Sequence, residues 1–473
     1  MKFYITTPVY YVNDRPHVGH AYTTVAADVL ARWQKQKGRD VFFEVGTDEH
    51  GAKISQAAQK AGQTPPDFGD EKAQAFKDTW KILNIDYSGF IRTTDKAHET
   101  AVQKALEILY QKGLIYKGEY EGLYCVGCEQ YKNPDDLVDG KCPDHQKEPE
   151  KMKEESYFFR LSAFAQILEE KISSGEFKIE PAARKNEALS FIRSGLKDVS
   201  ISRKNVAWGI PLPFDKEYTT YVWVDAFLNY LTVLGWNPAS EESENFKNFW
   251  PPDLQLMAKD ILRVHATIWP GLLLGLGLRL PQKFFVHGFF TIAGQKMSKT
   301  LGNVIWPEDL VQKFGADASR YLLLSSTPFG QDGDISWEKM IQKYNADLAN
   351  GLGNLLSRVF NLIENNFDGK IKAEKSDFGV SDFMENLQLF EALQIIKAKV
   401  DWANKYIDET KIWELVKNDK SKAEKILTEL LGAIWSIGAS LAPFMPETSQ
   451  KIMESARAAK IRKGEILFPK IEI

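Results

Sequence analysis

Two histidines and two lysines, each pair on a Gly-bearing turn, are the residues best suited to phosphate chemistry. His17-Val18-Gly19-His20 follows an apolar run, Phe3 to Thr6, and a turn-rich segment holding Pro8, Asn13, Asp14 and Pro16. The run reads as a buried strand, and Ala21 to Lys37 as a helix with Ala21, Val25, Val29, Leu30 and Trp33 on one face. At such a junction backbone N–H groups and the helix dipole favour phosphate. Two imidazoles can donate to phosphate oxygens, and Gly19 lets a flat ring such as a purine lie against the backbone. Histidine pairs near a helix start are also commonplace, so a second observation is needed. Lys296-Met297-Ser298-Lys299-Thr300, on a small-residue loop flanked by Gly294 and Gly302, offers it. Two ammonium groups there can meet phosphates as charge develops. A solvated basic turn is the plainer alternative. Position favours the first, because the loop follows a strand, Phe284 to Val286, expected in the same sheet as Phe3 to Thr6. No Walker loop and no G-x-G-x-x-G after a strand occurs.

Gly46-Thr47-Asp48-Glu49-His50-Gly51 follows a second strand, Asp40 to Val45, as a turn that aims Asp48 into the crevice or simply caps the next helix. The third constellation is Cys125-x2-Cys128, then Cys142-x2-His145, which uses all three cysteines and one of seven histidines. Paired knuckles with sulfur and nitrogen ligands suit tetrahedral zinc. A Cys125–Cys128 disulfide would leave Cys142 without a role. Four protein ligands close the metal shell, so the zinc is expected to be structural, one ion per chain.

The 473 residues allow several domains, and a composition 44% hydrophobic and 26% charged is that of an ordinary globular protein. With a net charge of −4 and a pI near 6.1, a nucleic-acid partner must be met by local basic patches. No signal peptide or membrane span is expected, and clustered cysteines suit a reducing cytoplasm.

Strands alternating with helices from Met1 to Tyr116 predict an α/β fold, a Rossmann-like parallel sheet whose ligands bind at the strands' carboxyl ends. Residues 117–220, with the cysteines, read as a connective insertion carrying the zinc knuckle. The α/β pattern resumes over 221–292 with Tyr221 to Asp225, Leu254 to Ala258 and Phe284 to His287. The lysine loop lies in 293–345. Residues 346–473 read as an all-α helix bundle, with helices around Phe383–Ile407, Lys422–Leu441 and Glu447–Ala459 and a polar break near Lys372–Ser381.

The set resembles the class I aminoacyl-tRNA synthetases, and within them the methionyl-tRNA synthetases. His17 to His20 is similar to the family's "HIGH" motif with valine for isoleucine, and Lys296 to Thr300 to "KMSKS" with threonine for the last serine. Thr7-Pro8-Val9-Tyr10-Tyr11-Val12-Asn13, the Gly46–Gly51 run, Tyr120–Cys125, Trp208–Pro213 and Tyr221–Ala226 are similar to family stretches in order. The likeness spans essentially the whole chain. It implies ATP-dependent ligation of methionine to its tRNA through methionyl-adenylate, with release of AMP and pyrophosphate. His17, Gly19, His20, Lys296 and Lys299 would bind ATP, with His17, His20, Lys296 and Lys299 catalytic, and Mg2+ would accompany ATP. The resemblance places methionine against Val9, Tyr11, Asp48, Trp223, Ala226, Tyr230, Ile261 and His265. Asp48 would take the ammonium, the rings and Ile261 the thioether, and Tyr11 and His265 would touch sulfur weakly. Trp223, Ala226 and Tyr230 could share one helical face or simply be core. Ile268 stands where family members often have Phe. The C-terminal helices resemble an anticodon-binding bundle in which Asn354, Arg358 and Trp413 would read the CAU anticodon of elongator and initiator tRNA(Met); Ile412 replaces the family's usual proline. Residues 293–345 would contact the tRNA stem. Lacking the appended domain through which some relatives dimerise, the chain is expected to be monomeric. The rival readings are another class I synthetase and a non-catalytic tRNA-binding module.

Overall fold

Strand β1 (Lys2–Thr6) is followed by β2 (Tyr10–Tyr11), β3 (Asp40–Asp48) and β4 (Gly89–Arg92) in a computed structural model of the chain. The structure describes all residues except 129, 133–136, 145, 205, 293, 298–301, 374–378 and 473. The expected ligand His145 and the expected catalytic Lys299 therefore lie outside the described residues, and of Lys296 only the backbone is described.

Next come β5 (Ile115–Cys125), β6 (Gln130–Lys132), β7 (Glu150–Phe159), β8 (Lys178–Glu180), β9 (Val199–Ser200), β10 (Ser202–Arg203) and β11 (Thr219–Thr220). The last are β12 (Leu254–Ala258), β13 (Lys283–His287), β14 (Phe290–Ile292), β15 (Gln295–Lys296) and β16 (Gly333–Ile335). Seven strands form one parallel sheet in the order β4-β3-β1-β12-β13-β8, with β2 pairing the carboxyl end of β3. The chain leaves β1 toward β3 on one side and later returns to β12 on the other. The topological switch, where such sheets bind ligands, thus lies at β1.

Both faces of the sheet are covered, which is why its strands read as apolar runs. Phe3, Ile5, Val41 and Phe43 share one core with Ala21, Val25 and Val29 of the helix Val18–Gln36. Tyr4, Phe42, Phe284 and Val286 join the other, with Leu262 and Trp269 of the buried helix Leu262–Leu276.

Several expectations are corrected. The first helix starts at Val18, capped by His17, and not at Ala21. Strand β3 runs through Gly46 to Asp48; a Cβ on Gly46 would stand 2.4 Å from the Ile91 carbonyl oxygen, so this glycine serves strand packing and not a turn. Tyr221 to Asp225, which resembles a strand in its β-branched and aromatic content, enters the helix Val222–Phe227. The stretch 117–220 is not all insertion. Strands β5, β6, β7 and β9 form a separate antiparallel sheet, but β8 pairs with β13 in the main sheet. The helices Ala165–Ser174 and Ala182–Arg193 beside it contribute Leu168, Ile172, Leu189 and Ile192 to the second core.

After the small sheet β15-β14-β16 the chain is helical. The helices Asn354–Phe367, Leu389–Thr410, Lys420–Leu441 and Pro446–Arg457 form the bundle, preceded by a π-helical stretch, Tyr344–Gly353. Arg320 ties bundle to sheet. Its buried guanidinium lies 2.6 Å from buried Asp28 of the first helix and donates to the carbonyls of Phe444 (2.8 Å), Pro443 (2.9 Å) and Leu83 (3.2 Å). Asp28 keeps Arg32 (2.7 Å), so the cost of Arg320→Met falls mainly on the buried carbonyls left without a donor and is expected to be about 2–4 kcal/mol of stability. Urea unfolding of the two proteins measures this; a loss below about 1 kcal/mol, the scale of an exposed pair, would contradict it.

Candidate functional site

Val9, Tyr11, His17, His20, Asp48, Ile261 and His265 follow or end β1, β3 and β12 at their carboxyl ends, and the lysine loop comes after β13. His17 is the N-cap of the first helix: its Nδ1 accepts the Gly19 N–H (3.0 Å), and its own N–H donates to His20 Nδ1 (3.1 Å). The two rings stack at 3.9 Å between centroids. With both Nδ1 atoms accepting, each neutral imidazole carries its proton on Nε2, the tautomer that can donate to a phosphate oxygen. The ring of Tyr10 lies edge-on to His20 at 4.8 Å, and its hydroxyl bonds the Thr24 hydroxyl (2.8 Å).

The lysine loop meets this turn. A Cβ built on Gly19 would lie 3.8 Å from Cε of Met297, the Val18 N–H donates to the Ile305 carbonyl (3.0 Å), and the Arg15 guanidinium stacks on Trp306 at 3.9 Å. On the other side Asp334 holds the loop's entry, accepting from the Gly294 N–H (2.7 Å) and the Thr291 hydroxyl (3.0 Å) and pairing with Lys339 (2.6 Å). The Gly294 N–H and then Lys339 bring this carboxyl down to about 2. His287, at the end of β13, bonds the Thr23 hydroxyl (2.8 Å) and the Gly288 carbonyl (2.8 Å); burial pushes it down to about 4. It is therefore a neutral ring at neutral pH.

The second group lies across the switch. Asp48 is the buried last residue of β3, and the register of β2 sets Tyr11 beside it. Val9 leans on the same strand, its Cγ1 2.9 Å from the Cβ position of Gly46. The Tyr230 hydroxyl bonds His265 Nε2 (3.0 Å), while His265 Nδ1 donates to the Ile261 carbonyl (2.9 Å). Trp223 stands edge-on to His265 at 6.0 Å. Burial drives His265 down to about 4, so the ring is neutral with both nitrogens engaged. Trp223 and Ala226 lie on the helix Val222–Phe227 and Tyr230 on the next, Asn229–Thr232, so the three do not share one continuous helix. Ile268, one turn beyond His265, is buried.

Buried residues around this pocket escaped the sequence reading. His50 Nδ1 bonds Asp225 Oδ2 (2.7 Å), and His98 Nε2 bonds Asp225 Oδ1 (2.8 Å). Glu49 is clasped by Arg92 (2.7 and 2.8 Å), whose guanidinium the Glu49 and Asp70 carboxylates hold above its usual value. The Asp-Glu-His run after a strand was a usable signal for Glu49 and His50; His98 carried none.

The sulfur atoms of Cys125, Cys128 and Cys142 lie within 4.8 Å of one another and all three are free thiols, Cys128 and Cys142 being 3.4 Å apart. Such convergence of three soft ligands, Cys142 included, fits a metal ion, whereas a Cys125–Cys128 disulfide would leave Cys142 out.

In the bundle, Asn354 donates to Asn404 (3.1 Å) and, one turn on, Arg358 pairs with Asp408 (2.5 Å). Trp413, 42% exposed, follows buried Ile412. Among the described residues no helix is long and apolar enough to cross a membrane.

A family model described as "tRNA synthetases class I (M)" matches residues 3–152 and 145–360. The "Methionine--tRNA ligase" of Caldanaerobacter subterraneus subsp. tengcongensis is 44% identical, over 100% of this chain and 79% of that protein. That of Streptomyces coelicolor is 40% identical, over 99% and 97%. A crystal structure of Mycobacterium tuberculosis methionyl-tRNA synthetase bound by methionyl-adenylate superposes with a TM-score of 0.92 at 34% identity, covering 99% of this chain and 100% of that one.

Proposed function

The chain belongs to the class I methionyl-tRNA synthetases, and from that premise we propose how its residues divide the ligation of methionine to tRNA. The observation that carries the proposal is the meeting of two groups at one sheet switch: the His17–His20 turn with the lysine loop, and Asp48 with the Trp223–Tyr230–His265 pocket. His17 and His20 donate from Nε2 to the ATP phosphates, and adenine lies over Gly19. Lys296 and Lys299 neutralise charge on the α-phosphate and on the departing pyrophosphate. Mg2+ bound with ATP supplies further charge neutralisation. Asp48 fixes the methionine ammonium. Val9, Tyr11, Trp223, Ala226, Tyr230, Ile261 and His265 enclose the thioether, presenting the carboxylate to the phosphorus. Attack of that carboxylate needs no covalent enzyme intermediate, so positioning and charge stabilisation are the protein's contribution. The terminal ribose of tRNA then takes the methionyl group and AMP leaves.

Cys125, Cys128 and Cys142, with His145, hold one structural zinc, which braces the β5–β7 sheet. Thiols kept for a metal suit a reducing cytoplasm. Metal analysis of the purified protein is expected to find one zinc per chain, lost in Cys125→Ala; undiminished zinc in that variant would remove the assignment.

Asn354, Arg358 and Trp413 read the anticodon of tRNA(Met), initiator included, by polar contacts and stacking on unpaired bases. Arg358→Ala is expected to slow tRNA charging by about 10-fold or more, the worth of one good base contact at ~1–3 kcal/mol, with ATP–pyrophosphate exchange unchanged. Equal loss of both activities would contradict this division of labour.

A further inference from the structure

Asp225 lies on the helix that carries Trp223 and Ala226, and its carboxylate bonds two buried histidines. His50 Nδ1 lies 2.7 Å from Asp225 Oδ2 and His98 Nε2 2.8 Å from Oδ1, and all three residues are at most 3% exposed. His98 Nδ1 continues to the Thr232 hydroxyl (2.7 Å). Three of these four residues sit next to the proposed methionine contacts, and His98 reaches them from the helix Lys96–Gln111. His50 is two residues beyond Asp48. Asp225 lies between Trp223 and Ala226. Thr232 is two residues beyond Tyr230.

The backbone after Asp48 is held from the other side as well. Trp208 Nε1 donates to the Glu49 carbonyl (2.6 Å), the Gly51 N–H donates to the Trp208 carbonyl (3.0 Å), and the Glu49 N–H donates to the Thr93 hydroxyl (2.9 Å). The His50–Asp225 contact thus ties the residues just past the strand end to the Trp223 helix. Burial alone would push His50 down, but the Asp225 carboxylate, with Glu99 and Glu49 beyond it, holds it above the usual imidazole value. Burial would likewise raise Asp225, and His50 and His98 hold it below the usual carboxylate value. Both shifts are those of a carboxylate kept ionised by its two imidazole partners.

We propose that Asp225 is a positioning residue for methionine: by gripping His50 and His98 together it sets the distance between the ammonium site at Asp48 and the thioether wall at Trp223, Ala226 and Tyr230. This rests on the methionine reading of the pocket given above. None of the four residues is assigned to ATP, so the two substrates should respond differently.

Asp225→Asn keeps the shape but offers one acceptor oxygen where two imidazole groups converge. In ATP–pyrophosphate exchange its KM for methionine is expected to rise about 10- to 100-fold, as a displacement of order 1 Å in a positioned site costs, with KM for ATP within about threefold of the parent. His98→Leu should follow it, while His98→Gln, which can still donate to Asp225, should recover most of the methionine affinity. If Asp225→Asn does not fold, the two His98 variants carry the same test. An unchanged methionine KM in Asp225→Asn and His98→Leu would overturn the inference, as would ATP and methionine constants rising in step, the mark of general loosening. Asp48→Asn separates the two levels. An unaltered methionine KM there brings down the methionine reading itself; a raised one there but not in Asp225→Asn brings down only the positioning role.

Discussion

Lys299→Ala is expected to slow methionyl-adenylate formation by about 10²–10³-fold, the usual effect of removing one charge-stabilising donor from a transition state. Lys299 belongs to a loop whose described ends are both fixed. Asp334 binds the Gly294 N–H at its entry, and Ile305 accepts the Val18 N–H at its exit. Met297 sits against Gly19 between the two histidines. Met297 and the described exit of the loop thus lie against the His17–His20 turn, the turn proposed to hold the ATP phosphates. A lysine there acts on charge that grows only as pyrophosphate leaves, so the loss should fall on kcat and spare methionine binding. Single-turnover adenylate formation, with methionine affinity measured in parallel by equilibrium dialysis, gives both numbers. A rate unchanged by the substitution, or a loss confined to methionine binding, would contradict the assignment.

Asp48→Asn is expected to raise KM for methionine by roughly 30-fold or more, since truncating the charge of a buried, hydrogen-bonded ion pair costs at least ~2 kcal/mol. The strand register makes the effect specific. Asp48 ends β3 beside Tyr11, whereas His17 caps the helix that follows β2 and His20 lies in its first turn. KM for ATP should therefore stay near the parent value. The check is the steady-state exchange reaction with each substrate varied in turn. Equal changes in both constants would show that Asp48 supports the fold of the site and does not hold the ammonium.

The sheet was legible where local pattern and tertiary role agree. Phe3–Thr6, Leu254–Ala258 and Phe284–His287 are apolar because both sheet faces are covered, and they are strands. The reading failed where packing overrides local preference. Gly46 looks like turn chemistry but is needed for the approach of Ile91. Tyr221 to Asp225 has strand-like residues but is wound into a helix beneath the pocket. Strand β8, three residues long, carries too little pattern to be told from the insertion around it, and its place beside β13 is fixed by partners a hundred positions away in sequence. The site divides in the same way. Contiguous motifs mark His17, His20, Asp48 and the cysteines. The Asp225 cluster assembles from residues 50, 98, 225 and 232, each ordinary alone, and nothing in the spacing announces it. Arg320 and Asp28, buried together across the seam between sheet and bundle, were hidden for the same reason.

Of the alternatives the sequence left open, another amino-acid specificity and a non-catalytic binding module, neither accords with relatives named methionine–tRNA ligases that match the chain end to end. The most direct test of a shared ATP and methionine site is ATP–pyrophosphate exchange with each of the common amino acids in turn. Exchange that depends on methionine, with leucine of similar volume at least tens of times weaker, is the expected result. Equal exchange with leucine, or none with any amino acid, would contradict it.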